Sequence, residues 1–125
     1  MIALLLSLFL LAGPSVPADA PYGAVQTAIK SGNASSLASM CKDKCLINIL
    51  DDERVYSKSQ ATQVLKSFFT KNPPSSFSFI HKGSDSNEGA FGIGTYKSKS
   101  NEFRVTVHFK KIGGSFKIES ISIEN

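Results

Sequence analysis

Tyr56-Ser57-Lys58-Ser59-Gln60-Ala61-Thr62-Gln63-Val64-Leu65-Lys66-Ser67-Phe68-Phe69 contains every signal of a helix, and each segment after it reads as sheet. Ser57 can cap the first turn, and Gln60, three residues on, can return a bond to the Ser57 backbone, a capping box worth about 1 kcal/mol. Tyr56 stands where it can staple onto Ala61. Ala61, Val64, Leu65 and Phe68 recur at helical spacing as one apolar stripe, with Lys58, Thr62, Lys66 and Ser67 on the opposite face. Asn72-Pro73-Pro74 stops the helix. Such a stripe must be buried, and the strand-rich second half offers the only large apolar surface, so the sequence predicts an α+β layer.

Residues 1–11 are almost wholly apolar and lead into Ala12-Gly13-Pro14 and Val16-Pro17-Ala18, the layout of a secretory signal. Cleavage is expected after Ala18, since a cut after Ala20 would leave Pro21 next to the scissile bond. This gives a signal peptide over 1–18, a single domain over 19–125 and an exported product, periplasmic or extracellular. The apolar run is too short for a stable membrane anchor, and a lipid anchor would need a cysteine just after it, whereas the first is Cys41. Fourteen Lys and Arg against ten Asp and Glu give a formal charge of +4, spread along the chain without a basic block. Solvated faces account for that excess, and no nucleic-acid partner is expected.

Residues 22–30 carry Ala24, Val25, Ala28 and Ile29 on one side and stop at Ser31-Gly32, a short helix with glycine past its end. Asn33 can cap a second short helix in which Leu37, Met40 and Cys41 share a face; this role outweighs the glycosylation sequon Asn33-Ala34-Ser35. Cys41 and Cys45 are the only cysteines, and four apart on a continuous helix their Cα atoms would lie about 6 Å apart, within disulfide reach. A structural disulfide leads, followed by free buried thiols and then a redox site favoured by flanking Lys42 and Lys44. Further metal ligands are not nearby, so neither a metal nor a cofactor is expected.

A strand is expected over 46–50, closed by a turn at Asp51-Asp52-Glu53 whose carboxylates could act as acid and base but read better as solvated. In Phe77-Ser78-Phe79-Ile80-His81, alternation points Phe77, Phe79 and His81 one way. The polar stretch over 84–89 resembles half a calcium loop without its later glutamate, and a hairpin connection is favoured. Next, Phe91, Ile93 and Thr95 oppose Gly92, Gly94 and Tyr96, and the two glycines leave a trough for a ring or a ligand. Phe103, Val105, Val107 and Phe109 oppose Arg104, Thr106, His108 and Lys110, placing His108 on the solvent face. Gly113-Gly114 makes the last hairpin, and the parity switch from Ile118 to Ile121 predicts a bulge near Glu119-Ser120.

Gly32-Asn33-Ala34 with Leu37, Tyr56-Ser57-Lys58 with Gln60-Ala61, Val64-Leu65 and Phe68-Phe69, Phe79 with His81-Lys82-Gly83, Ile93-Gly94 and Phe103-Arg104-Val105 together resemble a known pattern. The chain is similar to the cone-shaped α+β superfamily of nuclear transport factor 2-like domains, and within it to a family of small exported bacterial domains of unknown function. The resemblance implies short N-terminal helices and one main helix on a curved, mostly antiparallel sheet, a cone whose mouth can hold a small ligand and whose outer face often mediates dimerisation. Fold alone assigns no activity. The acid–tyrosine set of the superfamily's steroid isomerases has no counterpart here, nor does the Gln-x-Val-x-Gly signature of the similarly shaped cystatins.

Three functions follow as expectations. The first is a non-catalytic module of the cell envelope that binds a small ligand or a protein. The second is a small isomerase- or dehydratase-type enzyme with His81 as base and Tyr56 or Tyr96 as donor to an oxyanion. The third is a structural homodimer subunit. Any pocket should gather His81, Tyr56, Tyr96, Phe79, Gly92 and Gly94.

Overall fold

The computed structural model describes residues 20–125, and the signal peptide expected over 1–18 lies outside them. In chain order come α1 (Tyr22–Lys30), α2 (Ala34–Ser39), β1 (Cys41–Ile49), β2 (Asp52–Ser57), α3 (Lys58–Lys71), β3 (Ser76–Ser86), β4 (Gly89–Ser98), β5 (Asn101–Ile112) and β6 (Ser115–Glu124). The strands form one curved sheet in the order β2-β1-β6-β5-β4-β3, with every neighbouring pair antiparallel except β1 and β6. The helices pack on one face of the sheet, over a single core. This is the α+β layer expected.

Helix α3 forms for the reasons legible in its sequence. The Ser57 hydroxyl accepts the Gln60 N–H at 3.3 Å, and the Gln60 side chain accepts the Ser57 N–H at 3.1 Å. Ala61, Leu65, Phe68 and Phe69 are buried, with Val64 half-buried beside them. Gly32, at φ +67°, ends α1: its N–H bonds the Ile29 carbonyl and that of Asn33 reaches Ala28. The Asn33 side chain then accepts the Ser36 N–H at 3.0 Å and starts α2.

The inward row of β4 decides how closely the outer parts of the molecule approach the sheet. A Cβ at Gly94 would stand 2.5 Å from the Ser78 carbonyl oxygen, and one at Gly92 would stand 2.8 Å from the Phe79 ring and 3.0 Å from that of Tyr22. The trough expected there is therefore filled by the protein's own rings. Farther along the row, Tyr96 is fully buried against Phe68, Phe69 and Phe103, and its hydroxyl donates to the Asn72 carbonyl at the end of α3. On the edge strand β3, the Phe79 N–H donates to the Gln26 side chain of α1 at 3.0 Å.

Three local expectations are corrected. The helix containing Leu37 ends at Ser39, so Cys41 and Cys45 lie on β1 and not on a helix. Asp52 and Glu53 belong to β2, and the turn falls on Leu50 and Asp51, at φ 51° and 76°. A leucine in this region costs about 1–2 kcal/mol; its N–H is held at 2.9 Å by the Ile123 carbonyl. The polar stretch expected to turn over 84–89 narrows to Asn87 and Glu88, because β3 runs on to Ser86. The bulge expected on the last strand is present, with Glu119 passed over between Ile118 and Ser120.

Leu65→Ala or Phe68→Ala is expected to open a cavity under the sheet and cost about 2–5 kcal/mol, against less than about 0.5 kcal/mol for exposed Lys66→Ala, read from urea midpoints. Burial pushes the Tyr96 hydroxyl from 10.0 up to about 12. A phenol that ionises more readily unfolded than folded lowers stability as pH climbs from about 10 towards 12, by up to about 2–3 kcal/mol. Chemical denaturation across that window should show a smaller loss in Tyr96→Phe than in the parent.

Candidate functional site

The interior of the cone is the first place to seek a site. Tyr22, on α1, packs edge-on against Phe79 and Phe109 at 5.5 and 5.3 Å between ring centres, and its hydroxyl donates to the Phe91 carbonyl at 2.9 Å. The Lys82 ammonium lies 5.0 Å from the centre of the same ring. Phe77 meets Phe79 at 5.1 Å. Among Ile29, Leu37, Leu65, Phe69, Tyr96 and Val105 a cavity of about 10 Å³ remains, no more than one water could use. Phe79, Gly92, Gly94 and Tyr96 thus do share one wall, but their neighbours fill the space in front of them.

His81 does not join that wall. Phe79 pairs with Gly94 and His81 with Ile93, so a register shift at Ile80 moves His81 to the outer face, where it is exposed. A one-residue slip reverses the direction of every following side chain. Tyr56, opposite Cys45 on β2, lies at the far edge of the sheet from β3. The six residues expected to converge therefore divide among three places, and the histidine has neither tyrosine on its face.

A different group gathers on the outer face. Phe91 and His108 are cross-strand partners, and His81 flanks Phe91 from β3; each imidazole lies 5.9 Å from the Phe91 ring centre. Ile80, next to His81 in the chain, is 70% exposed. Across the sheet, Val55 is 62% exposed and pairs with Leu46. The signal for this group lay in the sequence: Phe91 and His108 both have the parity opposite to the core.

On the helical side, a groove of about 480 Å³ runs between the α1–α2 turn and α3, with Ser31, Asn33, Thr62 and Lys66 among its walls. Its polar groups already serve the helices: Ser31 Oγ donates to the Thr27 carbonyl at 2.8 Å, and Thr62 Oγ1 to that of Lys58 at 2.9 Å. Asp52, considered as an acid or base, is exposed and accepts from Arg54 at 3.0 Å. Among the described residues, no group of three His, Cys, Asp or Glu could hold a metal ion, and no helix is long and apolar enough to cross a membrane.

Cys41 and Cys45 are completely buried and free, where a disulfide was the leading expectation. The expected helical spacing is replaced by a break in β1: Cys41 pairs with Ile118 and Leu46 with Ser120, so four β1 residues stand against Glu119 alone. The break draws Cys41 and Leu46 opposite residues only two apart on β6, which brings the two cysteines near one another inside the fold. The neighbouring Cys45 thiol and burial push Cys41 far above the ordinary thiol range, while Cys41 and then Lys42 lower Cys45.

These features have counterparts of known structure. A protein of this kind from Bacteroides ovatus ATCC 8483 is 32% identical, over 82% of this chain and 92% of its own, with a TM-score of 0.77. A second from Bacteroides uniformis ATCC 8492 is 28% identical, over 86% and 97%, with a TM-score of 0.79. An NTF2-like protein of unknown function from Shewanella baltica OS155, at 10% identity, 82% and 85% coverage and a TM-score of 0.62, shares the fold alone. No match is found among curated proteins. The model of the domain of unknown function DUF4783, the kind to which both Bacteroides proteins are assigned, matches residues 22–124, and the chain belongs to that family.

Proposed function

We propose that this protein is a non-catalytic interaction module of the cell envelope, exported by the signal over 1–18, that works through the outer face of its sheet. The observation that carries this reading is the filled cone: Tyr22, Phe77, Phe79 and Tyr96 occupy the volume a small ligand would need. The aromatic and imidazole groups left over by the core stand together outside, as His81, Phe91 and His108. A half-buried ring between two imidazoles suits a protein surface, since binding energy concentrates in a few central aromatic contacts.

The enzyme reading requires a base and an oxyanion donor facing one volume. His81 faces solvent, whereas the Tyr96 hydroxyl is held inside by the Asn72 carbonyl. This separation favours binding over catalysis. The partner is an envelope protein or a second copy of the chain.

The test is photo-crosslinking in the native cell from a residue placed at His81, with Lys66 on the helical side as the comparison position. Discrete adducts are expected from His81 and not from Lys66. Phe91→Glu should reduce them about tenfold or more, on the scale of a lost interface anchor, at unchanged circular dichroism. Equal adducts from both positions, or none from His81, would remove the outer face as the working surface.

A further inference from the structure

We propose that Cys41 and Cys45 form a dithiol–disulfide couple whose exchange with external disulfides is gated by the edge strand β2. In a regular strand, residues four apart are about 13 Å apart, beyond the reach of any direct bond between their side chains. Here Cys41 and Leu46 face Ile118 and Ser120, only two residues apart on β6, so the break draws the ends of this stretch to within about 7 Å of one another, with both cysteines fully buried. The thiols described are the reduced state of that couple.

The asymmetry of the pair sets the order of events. Cys41 lies 3.9 Å from the Leu37 carbonyl and pairs with Ile118 inside the sheet, whereas Cys45 pairs with Tyr56 on the edge strand, is the first to be uncovered when that strand opens, and is the thiol whose pKa is lowered. Cys45 therefore attacks first. With a small disulfide RSSR, Cys45 loses its proton to a base in solvent and its sulfur takes one RS group, releasing RS⁻. Deprotonated Cys41 then attacks the Cys45 sulfur, closing the internal bond and releasing the second RS⁻. The protons from the two cysteines end on the two RS⁻, so the protein gives up two electrons and RSSR becomes two RSH.

No reagent reaches either sulfur in the closed fold, since both are 0% exposed. Cys45 pairs with Tyr56 on β2, a strand of six residues bonded to the sheet on one side only. Tyr56 is half-buried against the core, whereas Cys41 pairs with Ile118 in the middle of the sheet. The least costly opening is the release of β2, a local event well below global unfolding.

The experiment treats the reduced protein with oxidised glutathione and follows intact mass and alkylation. The expected product has lost two hydrogens and carries no glutathione. Tyr56→Ala should speed its formation about tenfold or more at unchanged circular dichroism, and Cys41→Ser should trap one glutathione on Cys45. If Tyr56→Ala does not fold, low urea replaces it: oxidation of the parent and hydrogen exchange of the β2 amides should then accelerate together. Two thiols that remain alkylatable after unfolding and refolding in glutathione disulfide, or a lasting glutathione adduct on the parent, would overturn the couple. Oxidation indifferent to both Tyr56→Ala and β2 opening would overturn the gate.

Discussion

A phenol cannot be buried without a partner for its hydroxyl, and Tyr96 finds one in the backbone carbonyl of Asn72. That carbonyl is available because Pro73 and Pro74 cannot extend α3 and supply no N–H of their own. The bond ties the end of the main helix to the last part of β4, and Phe68, Phe69 and Phe103 pack around the ring it fixes. Once α3 is held there, its stripe has one place to lie.

The same packing explains why the cone lacks a chamber. Where the backbone of β4 is bare at Gly92 and Gly94, aromatic side chains move in to contact distance. In a cone that holds a ligand, that volume would be left to the guest and polar groups would converge on it. Here the convergent polar groups are absorbed: Tyr22 and Tyr96 donate to backbone carbonyls, and the Gln26 amide accepts from Phe79. The surplus of unsaturated side chains then falls on the sheet face away from the core.

Much of the fold was legible because it rests on local chemistry. The Ser57 and Gln60 exchange, the glycine after α1 and the alternation of β5 are each set by residues within a few positions of one another. What was not legible depends on partners distant in sequence. Nothing local marks Ile80 as the site of a register shift, and that one residue moved His81 from the inner wall to the outer face. Leu50 reads as the end of a strand, yet it turns because Ile123, far along the chain, accepts its N–H. The parallel pairing of β1 with β6 has no sequence signal at all, and it is this pairing that makes Cys41 a strand residue. The outer group of His81, Phe91 and His108 was half legible: parity gave the faces of two members, and the shift at Ile80 concealed the third.

The Gln26 amide that holds the Phe79 N–H has a bearing on how the molecule can associate. An edge strand ordinarily offers a row of free backbone groups on which another chain can continue the sheet without limit. On β3 that row is interrupted by a side chain from α1 at Phe79 and by the kink at Ile80 immediately after it. A second molecule arriving edge-on finds its ladder broken within two residues. Growth into a continuous ribbon is blocked on that side, while contact face to face, which closes after one partner, stays open.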